Sequence, residues 1–234
     1  MIPGVGRRSQ RQRDKAIDQA PPGALRDFLT VPAPPSDTGL ERLPLLAVDV
    51  ETTGLDSSTD RVVAVGWVPV DGAAIDLSRA QRHIVATRRD VGQSATVHGL
   101  TDDEVSAGTI PIVALQALLA ALAGRVLLAH HAPIEVGFLA AACHRVYGVS
   151  MVAPSVDTLV LQRRVLTEGI GLPADPPHGS LRLWAARARY GLPHYGAHDP
   201  LSDALACAEL YLAQTAELSL RARRPLTLKA LQRG

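Results

Sequence analysis

The sequence predicts one α/β domain built on a mixed β-sheet, with helices packed on its faces. Apolar strand patterns at residues 43–51 and 61–70 follow each other closely, as in an antiparallel meander. From residue 112 onwards, short apolar strands alternate with helical segments, as in β-α units. The chain has 234 residues, of which 47% are hydrophobic, so it is long enough for one continuous core.

The individual elements follow in order from local patterns. Asp71 and Gly72 offer a turn that leads to a third strand around residues 83–86. An Ala/Leu-rich segment at 112–123 predicts a helix that ends at Gly124. The later predictions are a strand at 125–129, a helix at 133–147 that ends at Gly148, a strand and helix meeting near 158, a loop at 167–180, a helix capped by Ser180 and reaching about 190, and a helix at 201–216.

The first 42 residues differ in composition from the rest. Basic residues cluster before residue 16, and prolines recur between residues 21 and 35. This composition predicts a solvated, partly ordered arm with one short helix around residues 24–29. The predicted units are therefore an arm (1–42), a folded domain (43–218) and a short tail (219–234).

Composition excludes several functional classes. The net charge of +1 does not make the chain a nucleic-acid binder by bulk charge, so phosphate affinity must come from a local site or bound cations. Cys143 and Cys207 lie in Ala-rich helical segments, which indicates buried apolar residues rather than a disulfide or zinc site. No apolar run reaches the roughly 20 residues that span a bilayer, and no secretory signal is present, so we expect a cytoplasmic protein without membrane association.

Two acidic residues lie inside the first predicted strand. Asp49 and Glu51 are two residues apart, so their side chains point to the same face. Neighbouring carboxylates on a largely buried strand repel each other and lose solvation, and a divalent cation between them removes both costs. For an isolated pair, a strand end at which both acids reach water is the simpler explanation.

Two further segments carry candidate residues. Asp199 fits an N-cap and Pro200 the first position of the last helix, so His198 and Asp203 can be aimed at one point. Glu135 falls in the first turn of the helix at 133–147, near the positive end of its dipole. Each residue also has a simpler explanation, because His198 alone fits a surface loop and Glu135 alone fits a routine helix start.

Together these segments resemble the DEDDh exonucleases, which include the proofreading epsilon subunit of bacterial replicative DNA polymerase and its stand-alone relatives. The resemblance covers about residues 43–217 and implies a ribonuclease-H-like fold: a mixed sheet, antiparallel and then parallel, flanked by helices. It implies a 3′→5′ exonuclease that releases nucleoside 5′-monophosphates with two divalent ions, Mg²⁺ or Mn²⁺. Five segments agree in order and spacing: VDVETTGLDSSTDRVVAVGWVPV, TVHGLTDDEV, LLAHHAPIEVGFL, VDTLVL and HDPLSDALACAELYL.

The resemblance implies a role for each candidate residue. His198 would act as the general base that takes a proton from the attacking water. The implied metal ligands are Asp49, Glu51, Glu135 and Asp203. The implied substrate-binding residues are Thr52, Thr53, Gly54, Leu55, His98, Gly99, Leu100 and His131. The segment from His98 to Leu100 fits equally well as a turn before a helix capped by Thr101.

Glu135 and His131 depart from the family pattern, which has Asp and Asn at these two positions. Glu keeps the charge and oxygen ligands but adds one methylene, whereas Mg²⁺ requires near-ideal octahedral geometry. We expect the metal to be retained with Mn²⁺ preferred, and loss of the second ion stays open. Asp157 also matches the family, and we expect it to hold a strand–helix junction by hydrogen bonds rather than to bind metal.

The sequence constrains the substrate less than the chemistry. A buried metal site admits a frayed strand better than a duplex, which favours single-stranded 3′ ends, with DNA preferred. Two alternatives stay open: an RNA-trimming enzyme similar to oligoribonucleases, and a weakly active nuclease-fold module bound in a polymerase or repair complex. The oligomeric state does not follow from the sequence.

Overall fold

A six-stranded mixed sheet forms the centre of the computed structural model, which describes residues 5–86, 105, 107–167, 175–196 and 198–233. The strands are β1 (Pro44–Thr52), β2 (Val62–Asp71), β3 (Ala74–Ile75), β4 (Gln81–Ile84), β5 (Val126–Ala129) and β6 (Ser155–Asp157). The sheet order is β3-β2-β1-β5-β6, and β4 also pairs with β2. Pairs within β1–β4 are antiparallel and the pairs of β5 are parallel, which confirms the predicted ribonuclease-H-like mixed sheet.

Helices flank this sheet, and several begin or end at residues with a clear local cause. Pro111, Pro133 and Pro200 each occupy the first helical position, where the missing N–H costs nothing. Gly148 ends a helix in the left-handed region at φ +73°. The described helices are α1 (Val5–Gln19), α2 (Ala24–Thr30), α3 (Pro111–Leu122), α4 (Pro133–Tyr147), α5 (Thr158–Thr167), α6 (Leu183–Arg189), α7 (Pro200–Arg221) and α8 (Leu228–Leu231), with 3-10 turns at Leu40–Arg42 and Leu77–Arg79.

Strand β1 separates two cores and thereby decides where its acids point. Leu46 and Val48 belong to the core shared with α3 and α4, whereas Leu45 and Ala47 belong to the core shared with α7. Side chains alternate along a strand, so Asp49 continues the row of Leu45 and Ala47 towards α7. The apolar run thus places the first candidate acid beside the last long helix.

The expectation of a solvated N-terminal arm is wrong for the described residues from 10 to 30. The predicted short helix is present as α2, but α1 precedes it, and Phe28 and Leu29 are buried in the core. Arg13 is only 6% exposed, and its guanidinium donates to the backbone carbonyls of Phe28, Leu29, Val31 and Val152 at 2.7–3.0 Å. A side chain that looks like surface charge in the sequence therefore anchors the segment.

The C-terminal residues also pack on the domain. Thr227 forms an isolated bridge with Gly39, and both Leu228 and Leu231 are buried in the core that contains α7. The boundaries drawn at residues 42 and 218 stay predictions, but the segments on either side contribute to a common core. No helix in the described part of the chain is long and apolar enough to cross a membrane.

Two local predictions need adjustment, and a third is confirmed. Ser180 does not cap a helix, because its hydroxyl donates to the Pro177 carbonyl and α6 begins three residues later. The turn after β2 leads first to the two-residue strand β3, and the predicted third strand follows as β4 at Gln81–Ile84. Cys143 and Cys207 are both free and buried, as predicted.

Candidate active site

Strand β1 delivers two carboxylates to one end of the sheet. Asp49 and Glu51 are half-buried and share the face that looks towards α7. The register with β2 shifts between Glu51 and Thr52, so regular pairing ends just after the two acids. The backbone is therefore fixed on both sides of Asp49 and departs from the sheet directly beyond Glu51.

Gly66 on β2, the residue paired with Asp49, lets α7 approach the sheet. A Cβ built on Gly66 would lie 2.3 Å from the Pro200 carbonyl carbon and the Leu201 nitrogen. No side chain fits in that space, so the first turn of α7 contacts bare backbone. Sequence reasoning missed this residue, although an isolated glycine inside a strand is typical of a close backbone approach.

The start of α7 places a histidine and an acid beside Glu51. Asp199 is the N-cap, and its carboxylate accepts from the Ser202 N–H at 3.0 Å, as predicted. The Asp203 carboxylate accepts from the backbone N–H of His198 at 2.9 Å. One ligand atom each from Glu51, His198 and Asp203 lies within 4.8 Å of the others. His198 is exposed and adopts φ +69°.

Glu135 lies in the first turn of α4 and is buried, with 5% of its surface exposed. Its Oε2 atom has no hydrogen-bond partner among the described residues. Burial raises the pKa of Glu135 to about 8, with the charge of Asp157 adding to the rise. An unpartnered carboxylate oxygen inside a protein is costly, so this position demands a ligand or a proton.

The remaining acids are perturbed in the same direction. Burial, followed by the charges of Glu135, Asp203 and Glu51, raises the pKa of Asp49 well above its usual value. Burial and the charges of Asp203 and Asp199 raise the pKa of Glu51 to about 7. Every charged neighbour that shifts the pKa of Asp49 is another carboxyl group. The structure thus brings the four predicted metal-binding acids into one electrostatic cluster.

This donor set fits divalent cations. Carboxylate oxygens are the ligands that Mg²⁺ and Mn²⁺ prefer, and Glu51 and Asp203 place two of them within 4.8 Å of each other. Bound cations would remove the mutual repulsion of the acids and give the buried Glu135 oxygen a partner. The four acids that the family resemblance implies as ligands would hold the ions: Asp49, Glu51, Glu135 and Asp203.

Asp157 and His130 hold the segments next to the acid cluster in place by hydrogen bonds. Asp157 Oδ1 accepts from the backbone N–H groups of His131 and Leu159, both at 2.9 Å, which confirms its expected role at the strand–helix junction. His130 was not predicted. Its Nε2 lies 2.9 Å from the Leu181 carbonyl and its Nδ1 2.9 Å from the Thr158 hydroxyl. Because burial lowers the pKa of His130 to about 4, the ring is neutral, and Nε2–H must donate to the carbonyl.

The predicted substrate-binding residues are described in part. Thr52 donates to the Gly54 carbonyl at 2.6 Å and Thr53 to Asp60 at 3.2 Å, so the loop after β1 is held by its own hydrogen bonds. This loop leaves Leu55 88% exposed. His131 is exposed at φ +81°. His98, Gly99 and Leu100 lie outside the described residues.

Comparison with known proteins assigns this arrangement to a family. A family model described as an exonuclease (RNase T) matches residues 46–211, which contain all five candidate catalytic residues. The chain belongs to the exonuclease family. The predicted resemblance is thereby confirmed at the level of the family and the fold.

The individual relatives described below share between 16% and 27% sequence identity with this chain. The chain is 27% identical over 176 residues to the DNA polymerase III subunit epsilon of Treponema pallidum, covering 75% of this chain and 78% of that protein. It is 25% identical over 178 residues to the PolC-type DNA polymerase III of Thermotoga petrophila, covering 75% of this chain but only 12% of the polymerase. E. coli exonuclease I in complex with a dT13 oligonucleotide superposes with a TM-score of 0.64 at 16% identity, covering 77% of this chain and 42% of the other.

Proposed function

We propose that this protein is a divalent-metal-dependent 3′→5′ exonuclease that shortens single-stranded DNA from its 3′ end and releases nucleoside 5′-monophosphates. The observation that carries the proposal is the buried, unpartnered carboxylate oxygen of Glu135 within a cluster of acids. Such a cluster is stable only when it is protonated or binds cations. Because the chain belongs to the exonuclease family, we propose that bound cations rather than protons stabilise the cluster in the active protein.

In this proposal each residue has a defined task. Asp49, Glu51, Glu135 and Asp203 hold the ions, which supply positive charge to the phosphodiester under attack. His198 is exposed beside Glu51 and Asp203, where its imidazole can accept a proton from an attacking water. The loop at residues 52–55 follows the two strand acids in the chain and leaves Leu55 88% exposed, so this apolar side chain is available to contact the terminal base.

Single-stranded DNA is the proposed substrate for two reasons. Asp49 and Glu51 are half-buried and Glu135 is buried, so a frayed strand reaches these acids more easily than a duplex. Exonuclease I, which shares the fold, is described in complex with a dT13 oligonucleotide. The relatives named as polymerase III subunits also make a DNA polymerase the proposed partner of this chain.

The test is an assay on matched DNA and RNA oligonucleotides labelled at the 5′ end, with Mn²⁺, Mg²⁺ or a chelator. We expect a ladder that shortens from the 3′ end of DNA and disappears with chelator and with Asp49→Asn. Faster shortening of RNA would favour the RNA-trimming alternative. Saturable Mn²⁺ binding without shortening of either polymer would overturn the proposed activity and favour a binding module.

Glu135→Asp restores the residue that the family resemblance implies and sharpens the same assay. If the extra methylene of Glu135 sets the preference for Mn²⁺, the variant should raise the Mg²⁺-supported rate relative to the Mn²⁺-supported rate. An unchanged ratio would show that α4 already adjusts to the longer side chain.

A further inference from the structure

The segment that carries His198 joins α6 to α7, and we call its described residues, 190–196 and 198, the histidine loop. Behind this loop lies Arg187 on α6, which is only 4% exposed. One guanidinium nitrogen of Arg187 donates to the Ala206 carbonyl of α7 at 2.6 Å, and another donates to the Pro193 carbonyl of the loop at 2.7 Å. One buried cation therefore connects two helices and the loop between them.

Glu209 and Tyr195 complete this cluster. Arg187 donates to one carboxylate oxygen of Glu209 at 2.8 Å, and the Tyr195 hydroxyl donates to the other at 2.8 Å. The guanidinium carbon of Arg187 also lies 4.9 Å from the centroid of the Tyr195 ring. We call Arg187, Tyr195 and Glu209 the guanidinium clamp, because each member contacts the other two.

A second arginine of α6 shows that joining the two helices does not require the clamp. Arg189 pairs with Glu217 of α7 at 3.2 Å, and its side chain is 44% exposed. This pair joins the same two helices from the surface, and among the described residues it meets the histidine loop only at its first residue, where the Tyr190 hydroxyl donates to Glu217 at 2.7 Å. Burying a guanidinium group costs free energy. The contacts of Arg187 with Pro193 and Tyr195 in the loop therefore need an explanation other than joining the two helices.

The backbone of His198 supplies that reason. At φ +69° it occupies the left-handed region, which is unfavourable for a residue that carries a Cβ. Such a conformation persists only where the surroundings over-determine it. On one side Asp203 accepts the His198 N–H at 2.9 Å, and three residues before His198 the clamp holds Tyr195. The histidine loop is thus held at Pro193 and Tyr195 by the clamp and at His198 by Asp203.

We infer that the guanidinium clamp positions His198, with Arg187 as the positioning residue that sets the placement of the imidazole. The inference rests on the proposed function, since it assumes that His198 accepts a proton during hydrolysis. Among the described residues Arg187 makes no hydrogen bond to the acid cluster. Burial raises the pKa of Asp203 and the charge of Arg187 offsets only part of that rise, so we expect Arg187 to act through the loop.

The first test compares Arg187→Met with the matched control Arg189→Met on single-stranded DNA with Mn²⁺. A displaced general base costs up to about a hundredfold in rate, so we expect kcat to fall about 10- to 100-fold for Arg187→Met. KM should change less than about threefold, because the proposed substrate-binding residues lie outside the histidine loop. Arg189→Met should keep kcat within about twofold.

A double-mutant cycle separates positioning from a general loss of structure. In a His198→Ala background, Arg187→Met should lower kcat no further, since the clamp has nothing left to position. Hydrogen exchange in peptides covering residues 193–199 should rise in Arg187→Met and stay unchanged in Arg189→Met. Equal losses in both backgrounds, or unchanged exchange, would overturn the inference.

Surface variants keep the test decisive if Arg187→Met does not fold. Tyr195→Ala and Glu209→Gln each remove one clamp interaction, and both should lower kcat and raise exchange in the histidine loop. Full activity in both would contradict the clamp. If His198→Ala retained full activity, the proposed role of His198 would fail, whereas the exchange data would still report whether Arg187 holds the loop.

Discussion

The two halves of the candidate site are built in opposite ways. Asp49 and Glu51 lie on a central strand with neighbours on both sides, and Glu135 is buried at the start of a helix. The sheet fixes Asp49 and Glu51, and the first turn of α4 fixes Glu135. The unfavourable free energy of this half is electrostatic, because acids are buried close together. His198 is exposed, lies on a loop and adopts a left-handed backbone, so its cost is conformational.

This difference matches the two tasks that the proposal assigns. Ligands for an ion need fixed geometry and low dielectric, which a sheet provides at the expense of raised carboxyl pKa values. A proton acceptor must meet water and substrate, so it cannot be buried and needs other restraints. Substitutions in the first half should therefore change both activity and stability, whereas substitutions of His198 should change activity alone.

Removal of the half-buried Asp49 should have the largest effect and tests the first half of the site. Asp49→Ala should lower the exonuclease rate by more than about a thousandfold, because the acid at the centre of the cluster is lost. The metal-free variant should also melt at a higher temperature than the wild type at pH 8, since the cost of burying a carboxyl group among other acids is gone. The measurements are release of nucleotides and thermal unfolding with chelator. A variant with full rate would refute the role of Asp49.

Removal of the exposed histidine should give the complementary result. His198→Ala is expected to lower kcat by about 10²- to 10⁴-fold, the usual contribution of a general base. Mn²⁺ affinity and melting temperature should stay close to those of the wild type, because the four acids are untouched. Rate assays, calorimetry and thermal unfolding test the three expectations separately. A large loss of Mn²⁺ affinity would place His198 among the ligands instead.

Gly66 links the two halves of the site, because it allows the start of α7 to pack directly against β2 at the residue that pairs with Asp49 of β1. In Gly66→Ala the added Cβ would meet backbone atoms at 2.3 Å, so α7 must move. We expect a loss of about 1–3 kcal/mol in unfolding free energy and at least a roughly tenfold lower rate. Denaturant unfolding and the nuclease assay measure these effects.

Gly137→Ala is the matched control for this substitution. Its new Cβ would lie 3.6 Å from the Ser57 hydroxyl oxygen, an ordinary contact, within helix α4. Alanine is favoured over glycine inside a helix by up to about 1 kcal/mol, so this variant should be as stable as the wild type or more stable. If both variants behaved alike, the close approach of α7 would not limit activity.

The smallest expected effect is a pH dependence of stability without metal. The pKa values of Glu51 and Glu135 are raised to about 7 and about 8, so the folded state binds more protons than the unfolded state above about pH 5. Stability should therefore fall as pH rises from 5 to 8, with a melting temperature lower by about 5 °C or more. Saturating Mn²⁺ should remove most of this slope. Thermal unfolding with and without chelator measures it, and a flat metal-free profile would contradict the raised pKa values.

Local chemistry explains what could be predicted from the sequence. The apolar run that contains Asp49 forms a strand whose two faces each pack into one of the two cores. Asp199 as N-cap and Pro200 at the first helical position begin α7, as their residue types predict. The start and end of α4 followed equally from Pro133 and Gly148. These features depend on neighbours in sequence, and so their placement needed no knowledge of the rest of the chain.

The features that were missed depend on contacts between distant segments. Arg13 is a basic residue in a polar stretch, and only the carbonyls of α2 and of Val152 make its burial favourable. His130 and Arg187 likewise bind carbonyls on other elements. Gly66 is the exception, because a glycine within a strand was itself a signal. The convergence of the four acids followed from family resemblance rather than from any local pattern.

Calorimetric titration of the metal-free protein with Mn²⁺ at pH 7, in two buffers of different ionisation enthalpy, tests the central claim most directly. Glu51 and Glu135 carry protons in part at this pH, so ions that bind the cluster must displace them. We predict saturable binding with release of about one proton or more, weakened at least about tenfold in Glu135→Gln. Absence of saturable binding, or binding that leaves the buffer heats equal and is unaffected by Glu135→Gln, would contradict the account.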